Sequence, residues 1–175
     1  EEIFTIDGED AKDLDDAVQV KKLDNGNFML GVHIADVSNY VREDSFLDRE
    51  AIIRGTSVYM LDRVIPMLPV ELSNGICSLN AKQDRFALSV IMEINKEGQV
   101  ISSDIRKTVI CVSERMSYKG VQTVLDYYDT KINDIKDEEK RNICKKYKKY
   151  KEHFKNMEEL AHILKTRREK AGSLN

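Results

Sequence analysis

The 175-residue sequence has little cysteine, little proline and no long hydrophobic run. Its three cysteines, Cys77, Cys111 and Cys144, are widely separated and form no CxxC pair, which argues against both a disulfide framework and a zinc site. No apolar run approaches the roughly 20 residues that a membrane-spanning helix needs, and the acidic N-terminus has no signal-peptide character. These absences predict a soluble, cytoplasmic protein.

The only two prolines, Pro66 and Pro69, lie so close together that residues 65–75 cannot be the interior of a helix. We expect an ordered loop there. Elsewhere, apolar residues alternate at period two on both sides of the turn signals Asp24–Asn27 and Asn95–Gly98, which predicts two β-hairpins. The predicted strands are 17–23, 28–34, 86–94 and 100–112.

Helical patterns occupy the middle and the C-terminal third of the chain. Ser45 and Gly55 flank a short predicted helix over Phe46–Arg54. A helical period begins after the second hairpin and returns over 157–164. Between them, residues 131–155 are lysine-rich, and we expect a solvated helix or a mobile insert. Because the strands come first and most helices later, we predict an α+β fold, a mixed or antiparallel sheet with helices.

The net charge of −3 conceals a strong asymmetry along the chain. The first 30 residues are acidic, whereas residues 131–170 are basic. A local basic stretch can bind phosphate whatever the overall charge, so nucleic acid is not excluded. For the run Lys145–Lys155 itself, a solvated helix face is a commoner role than contact with RNA.

Carboxylates are concentrated in one short segment between two strand-like runs. Ile6 and Ala17 anchor its two ends in the predicted core, so the segment cannot drift in solvent. Asp13 and Asp15 fall on one side of an extended chain, roughly 6.6 Å apart along it. The acidic side chains are Asp7, Glu9, Asp10, Asp13, Asp15 and Asp16.

Such a cluster requires a positive partner. Two carboxylates about 4 Å apart repel by roughly 4 kcal/mol at an effective dielectric constant of about 20. One of them therefore takes up a proton, or a divalent ion binds between them. Oxygen ligands select a hard cation, so Mg²⁺, or alternatively Mn²⁺, is expected rather than zinc.

Two other known metal motifs fit poorly. A calcium-binding EF-hand loop that begins at Asp7 requires glycine and glutamate where this chain has Lys12 and Val18. A phosphatase motif of the DxDx(T/V) type would begin at Asp13, but Ala17 stands where the hydroxyl or valine belongs.

The segments Thr5–Asp7 and Asp13–Ala17 resemble the signature of the RNB catalytic domain of the ribonuclease II/R family. Further segments appear in the family's order, and Gly8–Asp10 and Gly55–Tyr59 are most similar to bacterial ribonuclease R. The resemblance covers about 1–125 and 156–174, so residues 1–175 would form an N-terminal part of the domain. The further segments are His33–Ser38, Arg54–Tyr59, Val64–Pro69, Leu72–Gly75, Cys77–Asn80 and Arg115–Tyr118.

The resemblance implies a processive 3′→5′ exoribonuclease that hydrolyses RNA to 5′-nucleoside monophosphates. It implies that Asp7, Asp13, Asp15 and Asp16 hold one or two Mg²⁺ ions. Asp15 and Asp16 would be catalytic, and Asp15 the most critical. Tyr59 would stack on a base near the single-stranded 3′ end of the RNA.

The resemblance also implies partners outside this chain. They are the C-terminal half of the catalytic domain, which supplies an arginine, a glutamate and a second aromatic clamp, and flanking cold-shock and S1 OB-type domains that bind RNA. We therefore expect the chain alone to be nearly inactive, with uncovered apolar surface or self-association. His33 is expected to be packed or at the surface, and Asp36 at most to support the site.

Two alternatives belong to other functional classes. A catalytically inactive RNA-binding module would bind RNA without magnesium-dependent turnover. A metal-dependent phosphatase or cation-binding protein would act without RNA.

Overall fold

A six-stranded sheet forms the centre of the computed structural model, which describes residues 2–173. Strand order is β7-β6-β3-β2-β1-β8, and all neighbours are antiparallel except β1 and β8. The mixed sheet and its helices confirm the predicted α+β class. The strands are β1 (Phe4–Asp7), β2 (Asp16–Lys22), β3 (Phe28–Ala35), β4 (Val58–Tyr59), β5 (Val64–Ile65), β6 (Asp84–Ile94), β7 (Val100–Cys111) and β8 (Glu114–Ser117). The helices are α1 (Phe46–Arg54), α2 (Tyr118–Asp126), α3 (Glu138–Tyr147) and α4 (Lys151–Lys170).

Both predicted hairpins are present. β2 pairs with β3 around a turn in which the amide of Gly26 donates to the carbonyl of Leu23. β6 pairs with β7 around a turn closed by the amide of Asn95 and the carbonyl of Gln99. Gly98 in this second turn has a φ of 78°, a conformation that glycine adopts without strain.

Helix α1 has the predicted bounds. The Oγ atom of Ser45 accepts a hydrogen bond from the amide of Asp48, and Gly55 ends the helix at a φ of 70°. The predicted loop over 65–75 needs a correction, because Glu71–Ile76 form one irregular helical turn of π type. This turn follows Pro69, where a proline no longer obstructs helical hydrogen bonding.

The lysine-rich segment is a packed part of the fold rather than an insert. It forms α3, the 3₁₀ turn Lys148–Tyr150 and the start of α4. Its buried side chains Tyr147, Tyr150 and Phe154 pack with Phe4 of β1 in one core cluster. The rings of Phe4 and Tyr150 meet edge to face at 4.9 Å between centroids, so these aromatics fix the helices to the sheet.

The sheet has a core on each face. On one face, α4 packs through Leu160 against a cluster that contains Phe28 and Ile94. On the opposite face, Ala17 and Ala35 pack under Leu14 of the acidic segment and Leu79. The acidic segment is therefore anchored by its own buried leucine as well as by its ends.

Among the described residues, apolar side chains are exposed on α1, on part of the sheet and around the β4–β5 hairpin. Helix α1 exposes Phe46, Ile52 and Ile53. The second patch lies where β3, β6 and β7 extend beyond the helices; it contains Ile34, Phe86, Leu88, Ile105 and Val109. None of the helices described over residues 2–173 combines the length and the hydrophobicity that a membrane span requires.

Candidate active site

The acidic loop, residues 8–15, connects β1 to β2 and is held by buried hydrogen bonds. The amide of Leu14 donates to the Oγ atom of Ser78 at 3.1 Å, and this hydroxyl donates to the carbonyl of Lys12 at 2.9 Å. The amide of Leu79 donates to the carbonyl of Leu14 at 2.8 Å. These hydrogen bonds attach the loop to the segment that follows the π-type turn.

Arg115 supports the other side of the loop. Its Nη2 atom donates to the carbonyl oxygens of Glu9 at 2.8 Å and Ala11 at 2.7 Å. Arg115 lies on β8, which pairs in parallel with β1 and places Ser117 beside Asp7. The Arg115 guanidinium thus holds the loop through backbone carbonyl oxygens rather than through a hydrogen bond to one of its carboxylates.

The four predicted aspartates lie within electrostatic reach of one another. Burial and then the charge of Asp16 raise the pKa of Asp7, while Arg115 opposes that rise. Burial raises the pKa of Asp15 as well, followed by the charges of Asp13 and Asp16. All four carboxyl groups therefore share one negative field.

Asp7 carries the clearest unmet requirement. Its Oδ2 atom is buried and has no hydrogen-bond partner. A buried carboxylate oxygen without a partner is costly, and a bound cation or a proton removes that cost. An all-oxygen donor set with one unpartnered oxygen suits a hard divalent cation. Even so, within residues 2–173 no three His, Cys, Asp or Glu side chains converge closely enough to hold a metal ion.

Tyr59 is brought to the same place from a distant part of the chain. It lies on β4, its side chain is 66% exposed, and its hydroxyl donates to Oδ2 of Asp13 at 2.8 Å. The ring borders a cleft of about 580 Å³ whose walls include Asp13, Pro66 and Asn74. The family resemblance predicts that Tyr59 contacts RNA. In the structure, its hydroxyl is hydrogen-bonded to Asp13, a predicted metal ligand.

His33 and Asp36 make internal contacts instead. The Nδ1 atom of buried His33 lies 2.6 Å from the Oγ atom of Ser89, on the sheet face opposite Phe28. Burial lowers the pKa of His33. Asp36 accepts from Ser38 at 2.5 Å and pairs with Lys107 at 3.0 Å, and these hydrogen bonds lower its pKa. Both residues therefore serve the scaffold.

Sequence reasoning did not find the roles of Ser78 and Arg115. Both lie in segments that carry the family resemblance, but a single serine or arginine has no periodicity that would mark it. Their partners are 64 and more than 100 positions away, so only the folded chain reveals the contacts.

Comparisons with known proteins identify the family of the chain. The family model of the RNB domain matches residues 1–175. Ribonuclease R of Thermotoga maritima is 51% identical over 172 residues, 98% of this chain and 22% of that protein. A structure of Mycoplasma genitalium RNase R in complex with double-stranded RNA matches with a TM-score of 0.81 and 30% identity, over 99% of this chain and 28% of that one. The same protein in complex with ribose methylated single-stranded RNA gives the same TM-score and identity, over 25% of its chain.

The present chain therefore spans about a quarter of the length of these relatives. The match extends over its whole length in both sequence and structure. The chain belongs to the RNB domain family.

Proposed function

We propose that this chain provides the metal-binding half of a 3′→5′ exoribonuclease site that hydrolyses RNA to 5′-nucleoside monophosphates. The observation that carries the proposal is the shared field of Asp7, Asp13, Asp15 and Asp16, with one buried and unpartnered oxygen on Asp7. The names of the relatives and the RNA bound to the Mycoplasma protein support RNA as the substrate.

In this proposal the four aspartates would hold Mg²⁺, with Mn²⁺ as an alternative. When bound, the ion would lower the pKa of a water molecule and offset charge on the scissile phosphate. The chain's own contribution is positioning: Ser78 and Arg115 hold the loop backbone, so only the carboxylate side chains need to move together when the cation binds. Asp15 and Asp16 are the carboxylates that we assign to catalysis.

Tyr59 would hold the single-stranded 3′ end. Its exposed ring can stack on a base of any identity, and such stacking contributes about 1–3 kcal/mol per base. Its hydroxyl ties the ring to Asp13, so the base platform and the ion site are positioned together. Sequence-independent stacking suits a processive enzyme, which must accept each base in turn.

We expect substantial activity only from the intact protein, together with the second half of the catalytic domain and OB-type RNA-binding domains. The expected location is the cytoplasm, where the three unpaired thiols, Cys77, Cys111 and Cys144, would remain reduced.

The test is release of labelled mononucleotides from an RNA that is labelled on its single-stranded 3′-terminal nucleotide, measured as magnesium is added. In the intact protein, Asp15→Asn should reduce the rate at least about a hundredfold, because such an ion provides several kcal/mol of charge stabilisation. Glu9→Gln is the matched control, since it removes one exposed charge from the same loop and should change little.

Three results would contradict the proposal in distinguishable ways. Equal rates for wild type and Asp15→Asn would exclude Asp15 from the chemistry and contradict the assigned role of the acidic loop. Tight RNA binding without magnesium-dependent release would indicate an inactive RNA-binding module. Hydrolysis of p-nitrophenyl phosphate, with RNA left intact, would indicate a phosphatase.

A further inference from the structure

A second cleft lies at the far end of α2 from the aspartates. It has a volume of about 760 Å³ and lies among the end of α2, the turn that follows, and the α3–α4 junction. Ser117, which pairs with Asp7, immediately precedes α2, whereas Val124 and Tyr128 at the other end line the cleft. Nine helical residues, roughly 13.5 Å, separate Ser117 from Tyr127, and the cleft shares no lining residue with the cleft at the acidic loop.

Four lysines line the cleft, and we call it the lysine cleft. Three of them recur at every third position where α3 passes into α4, a spacing that keeps side chains on one helical face. The fourth comes from the turn after α2, on the facing wall. The four are Lys131, Lys145, Lys148 and Lys151.

The positive charge of the lysine cleft is not neutralised internally. Across residues 2–173, no carboxylate forms an ion pair with any of the four lysines. Asp129 is the one acidic side chain among the described residues that line the cleft. Glu152, which is close by in sequence, instead accepts a hydrogen bond from the hydroxyl of Tyr128 at 2.6 Å. A net excess of ammonium groups therefore faces an open volume.

Two tyrosines stand beside these ammonium groups. Tyr127 and Tyr128 line the cleft, and Nζ of Lys151 lies 4.0 Å from the centroid of the Tyr128 ring. Lysines combined with aromatic rings are the composition that binds nucleotide chains, because cations contact phosphates and rings contact bases. The volume is within the range of small-molecule sites, so it can admit a nucleotide unit.

We propose that the lysine cleft binds phosphate groups of nucleotides, as an accessory site outside the acidic loop. The choice of nucleotide phosphate over other anions rests on the proposed function. The phosphate can come from an RNA strand or from a free 5′-nucleotide, and both present the same anion to Lys145 and Lys148.

The same stretch of chain offers a matched control. Lys146 and Lys149 are also three residues apart, but their Nζ atoms lie over the rings of Tyr147 and Tyr150, at 4.8 and 4.3 Å from the centroids. Neither lysine lines the cleft. Lys146→Gln/Lys149→Gln therefore removes the same charge from the same segment without changing the lysine cleft.

The experiment measures binding of a 5′-fluorescein oligo(A) by anisotropy, in EDTA, between 50 and 200 mM salt. Each phosphate contact on a single strand contributes about 0.7 to the slope of log K against log salt. Lys145→Gln/Lys148→Gln should therefore bind more weakly and reduce the slope by about 1.4. The ratio of wild-type affinity to variant affinity should therefore fall about sevenfold as salt rises from 50 to 200 mM. The control variant should keep the wild-type slope.

Lys145→Arg/Lys148→Arg should restore the slope, which separates loss of charge from loss of folding. Displacement of the oligonucleotide by AMP that depends on Lys145 and Lys148 would assign the cleft to free nucleotides. Dependence seen only with the oligonucleotide would assign it to a strand. Equal slopes for the two glutamine variants would overturn the proposal.

EDTA keeps this measurement independent of the acidic loop. Suppose that magnesium causes no mononucleotide release, but the salt slope still depends on Lys145 and Lys148. The proposed function would then be rejected, and phosphate binding by the lysine cleft would still be supported. The reverse pair of results would reject the lysine cleft alone.

Discussion

The hydroxyl of Tyr59 donates a hydrogen bond to Oδ2 of Asp13, with 2.8 Å between the two oxygens. The contact joins the small hairpin of β4 and β5 to the acidic loop, 46 positions away in sequence. This hydrogen bond, together with the charge of Asp13, raises the pKa of the Tyr59 phenol, so the donor stays protonated at neutral pH. The aromatic proposed to stack on a base is thus linked directly to a carboxylate proposed to hold the ion.

The two functions of Tyr59 should separate in two substitutions. Tyr59→Ala removes the ring and should weaken binding of a short single-stranded RNA by roughly 5- to 150-fold, the equivalent of about 1–3 kcal/mol. Tyr59→Phe keeps the ring, so RNA affinity in EDTA should change little. Because Asp13 loses its hydrogen-bond donor, the magnesium concentration that gives half-maximal mononucleotide release should change instead.

Leu61→Ala provides the control for these variants, since Leu61 is a fully exposed apolar side chain beside the same hairpin. Anisotropy in EDTA and a magnesium titration of the rate measure the two effects. Equal RNA affinities for Tyr59→Ala and Leu61→Ala would show that the ring does not contact RNA.

The raised pKa of Asp15 predicts opposite effects of Asp15→Asn with and without magnesium. A carboxyl whose folded pKa lies above its unfolded value of 3.8 costs stability once it ionises in the fold. That cost is absent below pH 3.8 and fully present above the raised pKa. At pH 7 in EDTA, Asp15→Asn should therefore raise the melting temperature.

Magnesium should reverse the order of the two proteins. An ion present at ten times its dissociation constant stabilises the folded state by about 1.4 kcal/mol, or roughly 3–6 °C for a chain of this size. Wild type should gain this increment, and Asp15→Asn should lose most of it. Thermal unfolding followed by circular dichroism measures both, with Glu9→Gln as control. An equal magnesium increment in all three proteins would exclude Asp15 as a ligand.

Much of the fold was predictable because its hairpins are local. The alternation of apolar residues and the glycines at the turns specify β2–β3 and β6–β7 without reference to the rest of the chain. The parallel pairing of β1 with β8 joins Phe4 to Glu114 and leaves no local signal. Tyr147, Tyr150 and Phe154 follow a helical spacing and are buried. Because lysines surround them in the sequence, the segment has the composition of a solvated helix, so its buried face was not predicted.

The candidate site also combines features that are local in sequence, which can be predicted, with contacts between distant residues, which cannot. The aspartates are close in sequence, so their mutual repulsion, and their need for a proton or a cation, can be inferred before folding. Tyr59 was assigned through family resemblance, and its bond to Asp13 could not be foreseen because neither spacing nor periodicity relates the two positions. Ser78 and Arg115 act through backbone atoms of the loop, which the sequence does not distinguish.

The lowered pKa of His33 predicts loss of stability in mild acid. His33 is buried and Nε2 has no partner, so its charged form is disfavoured in the fold. Because the folded pKa lies below the unfolded value of 6.5, the unfolded state binds the proton first as pH falls. The free energy of unfolding should therefore decrease below about pH 6.5, with a slope of at most about 1.4 kcal/mol per pH unit from this group.

Urea unfolding at pH values from 7.5 to 5 tests the contribution of His33. His33→Gln should be less stable at neutral pH, because Ser89 loses part of its contact, yet show a flatter pH dependence than wild type. His162→Gln changes an exposed histidine and should retain the wild-type slope. Parallel curves for wild type and His33→Gln would mean that His33 is protonated equally in both states.

Ser78→Ala should loosen the acidic loop without touching a carboxylate. The Ser78 side chain is fully buried and accepts from the amide of Leu14 while donating to the carbonyl of Lys12. Its removal leaves the buried Leu14 amide without this acceptor, at a cost of about 1–3 kcal/mol. For a chain of this size, each kcal/mol lowers the melting temperature by about 2–4 °C.

The loop conformation should also affect the cation. If the loop becomes ordered only when magnesium binds, the cost of ordering it reduces the binding free energy. Ser78→Ala should therefore weaken magnesium affinity as well as stability. Ser102→Ala, on the exposed surface of β7, should change neither. The decisive measurement is magnesium affinity by calorimetry at a temperature where both proteins are folded. A destabilised Ser78→Ala protein with wild-type magnesium affinity would show that the hydrogen bonds of Ser78 support the core but do not position the carboxylates.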